Sequence, residues 1–244
     1  MARPSPAPVL LLPPSEGKAP GGSMPPWTPG TMRVEALDGC RAEVLDALAE
    51  GAALRAEPTL PAIDRYTGVL YKALAYRDLP AGLRRRVDAQ VLVFSGLWGL
   101  VAPRDPIPAY SCKMSRRVPP LGTLATWWRP RLAPVLDGLV DRRVVWDLLP
   151  NEHRAAWPAS DAPRRRITVR FLDDVERGGR RELVTVSHWN KLLKGALVRH
   201  VVETQLTDVE GLARFEHPEG YRYRPDLTED HGAGRLTVAL VARR

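Results

Sequence analysis

Cysteine is nearly absent: Cys40 and Cys112 are the only two in 244 residues, and they form neither a C-x-x-C pair nor a metal-ligand spacing. That excludes a disulfide framework and predicts free thiols in a reducing compartment. Long apolar runs are missing as well. No stretch approaches the roughly 20 residues that cross a bilayer. The run Pro8-Val9-Leu10-Leu11-Leu12 ends at Pro13-Pro14, too short for the apolar part of a secretory signal. Together these absences predict a cytoplasmic protein with no membrane partner. His153, His188, His200, His217 and His231 show no H-E-x-x-H or comparable spacing, so no metal site is expected. The Walker A loop, the dinucleotide G-x-G-x-x-G after a strand and the G-x-S-x-G nucleophile elbow are all lacking.

Lysine is scarce where arginine is not. Only five of the 36 basic residues are lysines, and the chain carries a net charge of +8 with a pI near 9.9. The excess favours anionic partners such as phosphates or nucleic acid. It is equally compatible with a chain whose codon usage simply favours arginine. At 44% hydrophobic and 26% charged residues, the composition is that of a globular protein with a real core, and one α/β domain over residues 1–244 is expected, a mixed sheet flanked by helices.

Val9–Leu12, Val91–Phe94 and Val144–Leu149 are short continuous apolar runs, the pattern of buried central strands. Helices are predicted in one or two pieces around Gly39 within residues 33–54, after Tyr66-Thr67-Gly68, over Leu83–Ala89, and over Leu124–Leu136 despite Pro130 and Pro134. The strongest helical periodicity covers Ser187–Glu203, with Ser187 as N-cap. Trp189, Leu192, Leu193, Ala196, Leu197 and Val201 fall on its apolar side, and Lys191, Lys194, Gly195 and Arg199 on the other. His200, on the apolar arc, reads as a packed core histidine. Residues 103–120 read as an irregular segment over the sheet edge. A hairpin is predicted around Arg177-Gly178-Gly179, from Ile167–Leu172 and Glu182–Val186, with closing strands at Gly220–Tyr223 and Arg235–Leu240.

Each of the three apolar strands ends in polar residues: Ser15-Glu16-Gly17-Lys18, Ser95-Gly96, and Asp147 with Asn151-Glu152. Ligands in open α/β sheets gather outside the carboxyl ends of strands, so these clusters are expected to converge on a site; as ordinary turn residues they would need no ligand. Glu16, Asp147 and Glu152 are candidate general acids and bases, with Lys18, Lys113 and Lys191 as anion holders, unless they form structural ion pairs. Ser15 and Ser95 offer hydroxyls, and Tyr66, Tyr110 or Trp128 a stacking ring. Arg84-Arg85-Arg86 and Arg164-Arg165-Arg166 are charge runs of the kind that touch phosphates or merely face solvent. Leu79-Pro80-Ala81-Gly82-Leu83 faintly suggests the hairpin of a helix-hairpin-helix unit.

Taken together, Leu11 to Lys18, Tyr66-Thr67-Gly68, Phe94-Ser95-Gly96-Leu97-Trp98-Gly99-Leu100 with Pro103, Asp105, Pro108 and Tyr110, and Lys191 to Arg199 resemble the YaaA peroxide-stress family nearly end to end. The resemblance implies a single α/β domain with a positively charged cleft, a helix-hairpin-helix-like DNA-binding element and a cytosolic role limiting damage when peroxide meets iron. It implies no catalytic mechanism and names no cofactor. Direct peroxide reduction is not expected, because neither cysteine has a resolving partner.

Two functions follow. In the first, double-stranded DNA binds in a basic cleft through Arg84, Arg85, Arg86, Lys191, Lys194 and Arg199. In the second, an enzyme acts on a nucleotide-like or other anionic small molecule. There Glu16, Asp147 and Lys191 are catalytic, and Ser15, Lys18, Tyr66, Thr67, Ser95, Gly96, Asp105, Tyr110, Lys113, Asn151 and Glu152 bind the ligand.

Overall fold

Four aliphatic residues without polar alternation suit a strand covered on both faces, and Val9–Leu12 forms such a strand, β1, with every residue buried. In the computed structural model, which describes residues 6–158, 160–186 and 190–244, β1 leads to helices α1 (Asp38–Ala47) and α2 (Gly51–Ala56). Then come β2 (Leu60–Pro61), α3 (Ala62–Arg65), α4 (Val69–Leu74) and α5 (Ala81–Gln90). β3 (Val91–Ser95) and β4 (Gly99–Val101) precede three two-residue strands, β5 (Pro106–Ile107), β6 (Arg117–Val118) and β7 (Gly122–Thr123). The chain continues through α6 (Leu124–Val140), β8 (Val144–Asp147) and α7 (Asn151–Arg154). It closes with β9 (Arg165–Arg177), β10 (Arg180–Thr185), α8 (Asn190–Thr204), β11 (Arg222–Asp230) and β12 (Arg235–Arg243).

The main sheet runs β11-β12-β9-β8-β1-β3-β4, with β10 paired to β9. β3, β1, β8, β9 and β12 are mutually parallel, while β4, β10 and β11 add antiparallel neighbours. This is the expected α/β domain with a mixed sheet, eight-stranded and accompanied by eight α-helices among the described residues. Leu10, Leu11 and Leu12 are fully buried at its centre, in one core that also takes Trp98, Trp128, Trp146 and Trp157. Parallel register sets Leu12 beside Val93 and Leu11 beside Asp147, so the segments after β1, β3 and β8 leave the sheet on the same edge.

Several local expectations change. Gly39 does not divide two helices but lies in the first turn of α1; the break comes before Gly51. Leu79–Leu83 is not a hairpin between helices: Pro80, at φ −53° and ψ 149°, is the N-cap of α5, and Ala81–Leu83 are its first turn. Proline suits that position, since it lacks an N–H that the helix start cannot use. The predicted hairpin is present but longer. Gly178 and Gly179 both take positive φ, 58° and 76°, the requirement of a two-residue turn whose twist matches its strands.

Ser187, His188 and Trp189 lie outside the described residues, and with them the predicted N-cap of α8. Gly195 is not on a solvent face. A Cβ there would lie 2.3 Å from the Leu70 carbonyl oxygen and 2.6 Å from the Ala73 Cβ, so α8 packs its backbone directly on α4. Two covered faces, rather than one apolar stripe, explain why simple periodicity misassigned it. No helix among the described residues is long and apolar enough to cross a membrane.

Candidate functional site

Because β1 and β8 are adjacent and parallel, Pro13–Lys18 and Pro150–His153 emerge side by side. Together with the start of α4, residues 110–113 and the first turns of α8, they enclose a cavity of about 750 Å³. Of the chain's five lysines, four line it: Lys18, Lys113, Lys191 and Lys194. No arginine does so among the described residues.

The lysines fall into two kinds. Lys113 is exposed and lies 3.3 Å from the exposed Glu16 carboxylate, and Lys191 is exposed at the rim. Lys18 and Lys194 are partly buried, and each donates to a main-chain carbonyl: Nζ of Lys18 to Ser15 O at 2.9 Å, Nζ of Lys194 to Leu148 O at 2.8 Å. Burial lowers Lys18 to about 8, against the opposing influence of Cys112 and Glu16. Burial likewise lowers Lys194 to about 8, opposed by Asp147 and aided by Arg154 and Lys191. Removing an ammonium from water without a carboxylate at contact distance disfavours its charged form.

Several polar atoms in the wall have no hydrogen-bond partner among the described residues. They are Ser15 Oγ, both ring nitrogens of His153 and Asn190 Oδ1, all inaccessible to solvent. His153 Nδ1 is 3.5 Å from Glu152 Oε1. Burial holds its ring below the ordinary histidine value, with Glu152 opposing the effect and Lys194 adding to it, which favours the neutral imidazole. Orphaned buried polar groups are uncommon in folded proteins, and each calls for a role.

Beneath Lys18 runs a chain of hydroxyls. The Trp98 N–H donates to Ser95 Oγ at 3.1 Å, Ser95 Oγ is 2.7 Å from the Tyr110 hydroxyl, and Tyr110 is 2.9 Å from the Tyr66 hydroxyl. The Lys18 ammonium sits 4.2 Å from the Tyr110 ring centroid. Of these groups Tyr110 lines the cavity, whereas Ser95 and Tyr66 support it from below. Gly96 accepts the Trp128 indole N–H at 2.8 Å. Thr67 donates its backbone N–H to Gly17 O at 3.1 Å, holding the β1 loop against the start of α4.

Asp147, Asp105 and Asn151 join Tyr66, Thr67, Ser95 and Gly96 outside the cavity lining. Asp147 is fully buried behind it: Oδ1 accepts the Leu149 N–H at 2.9 Å, and Oδ2 accepts Arg154 at 3.0 Å and Arg166 at 2.7 Å. Asp105 accepts the backbone N–H groups of Arg33 and Ala102 at 2.8 and 2.7 Å. Asn151 is exposed and accepts from Arg154 at 3.1 Å. Glu152 does line the cavity and accepts the Ser115 hydroxyl at 3.1 Å.

The candidate phosphate contacts are dispersed. Arg84 and Arg85 line a separate groove of about 620 Å³ with Arg77, Arg104, Asp64 and Asp88. Arg86 donates to the Val202 and Glu203 carbonyls at the end of α8. Arg199 pairs with Glu203 at 2.9 Å, and Lys194 faces the cavity. Both thiols are free, and burial pushes Cys112 up to about 11, so it is a neutral thiol in the cavity wall. No cluster of three or more metal-ligating side chains occurs among the described residues.

The family model described as peroxide stress protein YaaA matches residues 34–227. The chain belongs to the YaaA family. The chain is similar to a UPF0246 protein of Streptomyces coelicolor, 37% identical over 222 residues, covering 80% of this chain and 83% of the relative. A UPF0246 protein of Corynebacterium glutamicum is 30% identical over 78% of this chain and 83% of its own length. One from Cereibacter sphaeroides is 32% identical over 70% and 66%. The YaaA match includes Tyr110–Lys113, Glu152, His153, Lys191 and Lys194, but begins after the Ser15–Lys18 segment.

Sequence reasoning did not single out His153, Asn190 or Tyr71 for the site. His153 follows Glu152 in the same strand-end cluster, which was a usable signal. Tyr71, whose hydroxyl donates to Pro13 O at 2.8 Å, gave none.

Proposed function

We propose that the cavity binds a compact anionic small molecule of the phosphate-bearing, nucleotide-like class, within the general oxidative-stress role for which the family is named. The observation that carries this reading is the gathering of four of five lysines around one cavity whose wall also holds Ser15, His153 and Asn190 atoms unpartnered among the described residues. Lys113 and Lys191 supply charge at the rim, where a strongly hydrated ammonium suits capture of an incoming anion. Lys18 meets the ligand from within, held over the Tyr110 ring. Glu16 and Glu152 are the cavity's acids, available to carry a proton. Asp147 acts indirectly, by fixing the turn that presents Glu152 and His153.

Double-stranded DNA is the second reading, favoured by the groove of Arg77, Arg84, Arg85 and Arg104. One set of titrations separates the two. AMP is expected to raise the melting temperature and adenosine to leave it unchanged, with Lys18→Ala and Lys191→Ala each weakening AMP binding by about tenfold. Absence of any AMP shift removes the small-molecule reading. If duplex DNA binds, its affinity must fall steeply with salt as counterions are released; affinity flat across that range removes the DNA reading.

A further inference from the structure

An arginine-rich chain that places only lysines around a cavity has a use for something other than charge. Either side chain holds an anion, and arginine does so with a better-shaped fork; what lysine adds is a nitrogen that can lose its proton and become a nucleophile. The four amines are not equivalent in that respect. Lys113 is exposed and paired with Glu16, and Lys191 is exposed. Lys18 lies over the Tyr110 ring, a contact that favours the ammonium. Lys194 is different. Among the described residues its amine meets only the Leu148 carbonyl, and the neighbouring Asp147 is held by Arg154 and Arg166. Next to the Leu148 turn, in the same wall, stands His153 with no hydrogen bond at either nitrogen among the described residues.

We propose that Lys194 is an amine nucleophile that condenses with a carbonyl group on the anionic ligand to form an imine, with His153 as the proton carrier. The inference rests on the small-molecule reading of the cavity. Burial supports it by bringing the amine to about 8, so that part of the population is unprotonated at neutral pH. In the first step the Nζ lone pair forms a C–N bond and the carbonyl π pair moves onto oxygen. His153 accepts the proton lost by nitrogen and returns a proton to that oxygen, giving a carbinolamine. Loss of the hydroxyl, with the second nitrogen proton, yields water and the C=N bond, so no oxidant or reductant is required. The ligand class is accordingly a small phosphorylated aldehyde or ketone.

The test uses glyceraldehyde 3-phosphate with sodium cyanoborohydride, intact-mass measurement and peptide mapping of the full chain. A single adduct on Lys194 is expected, forming at least tenfold faster than on Lys113 or Lys191. Glycerol 3-phosphate, which has no carbonyl, should suppress it. Lys194→Arg should abolish the adduct while keeping a melting shift with glycerol 3-phosphate. His153→Gln should slow trapping by about tenfold or more and flatten its dependence on pH, with that shift retained. Adducts spread over the exposed lysines, or none on Lys194 of the unaltered protein while glycerol 3-phosphate still binds, would overturn the proposal and leave the anion site standing. Trapping of uncharged glyceraldehyde at Lys194 with no response to glycerol 3-phosphate would instead support the nucleophile and sink the anionic reading beneath it.

Discussion

The molecule uses its two kinds of cation in different places. Lysines surround the cavity, whereas buried arginines tie the framework together through main-chain carbonyls. Arg41 donates to Trp98 O and Leu100 O, and Arg65 donates to Ile107 O, Ala19 O and Pro58 O. Half-buried Arg143 reaches Ala7 O and Pro8 O, and Arg166 joins Asp147 to Trp157 O and Pro158 O. A planar guanidinium with five donors can satisfy several carbonyls at once, which a single amine cannot. The net charge of +8 is therefore a poor guide to a binding surface here, because it counts framework arginines such as Arg41, Arg65 and Arg166 along with the exposed ones.

The sharpest way to break this division is to remove a framework anchor. Asp147→Ala leaves Arg166 buried with no carboxylate and should cost about 3–5 kcal/mol in denaturant unfolding, whereas a loss under 1 kcal/mol would mean the pair is not integral to the fold. Arg65→Lys keeps the charge but cannot reach three carbonyls, and should cost about 2 kcal/mol; a neutral result would make the two cations interchangeable after all.

The smallest expected effect belongs to the cavity. Burial lowers Lys18 and Lys194 from 10.5 to about 8, so between those values the unfolded chain binds more protons than the folded one. These residues thus make the fold gain stability as pH rises from about 8 to 10.5. The double variant Lys18→Met with Lys194→Met should show a shallower rise over that window in urea titrations, and an unchanged slope would mean that the amines are not desolvated.

The sheet's centre was legible because β1, β3 and β8 are apolar without alternation, and parallel register then brings their ends together. The far half of β9 was not, since Asp173–Arg177 mixes charge into a strand whose last residues, Val175–Arg177, run past β12 and pair with exposed β10 alone. Asp147 looked like a catalytic acid because its partner is remote in sequence: Arg166 comes from the neighbouring strand β9, whose register sets it opposite Val145. From sequence alone Lys194 reads as a phosphate contact for the same kind of reason. Only the packing of α8 on α4, which no single-helix periodicity contains, turns it towards the cavity.

That packing has a dimensional consequence. The Leu70 carbonyl approaches Gly195 more closely than any Cβ would permit, one residue from the Lys194 amine and one from Val69 at the cavity mouth. On this side, the gauge of the chamber is a missing methyl group. Any larger residue at position 195 must drive the two helices apart, and so would resize the chamber without altering a single atom of its lining.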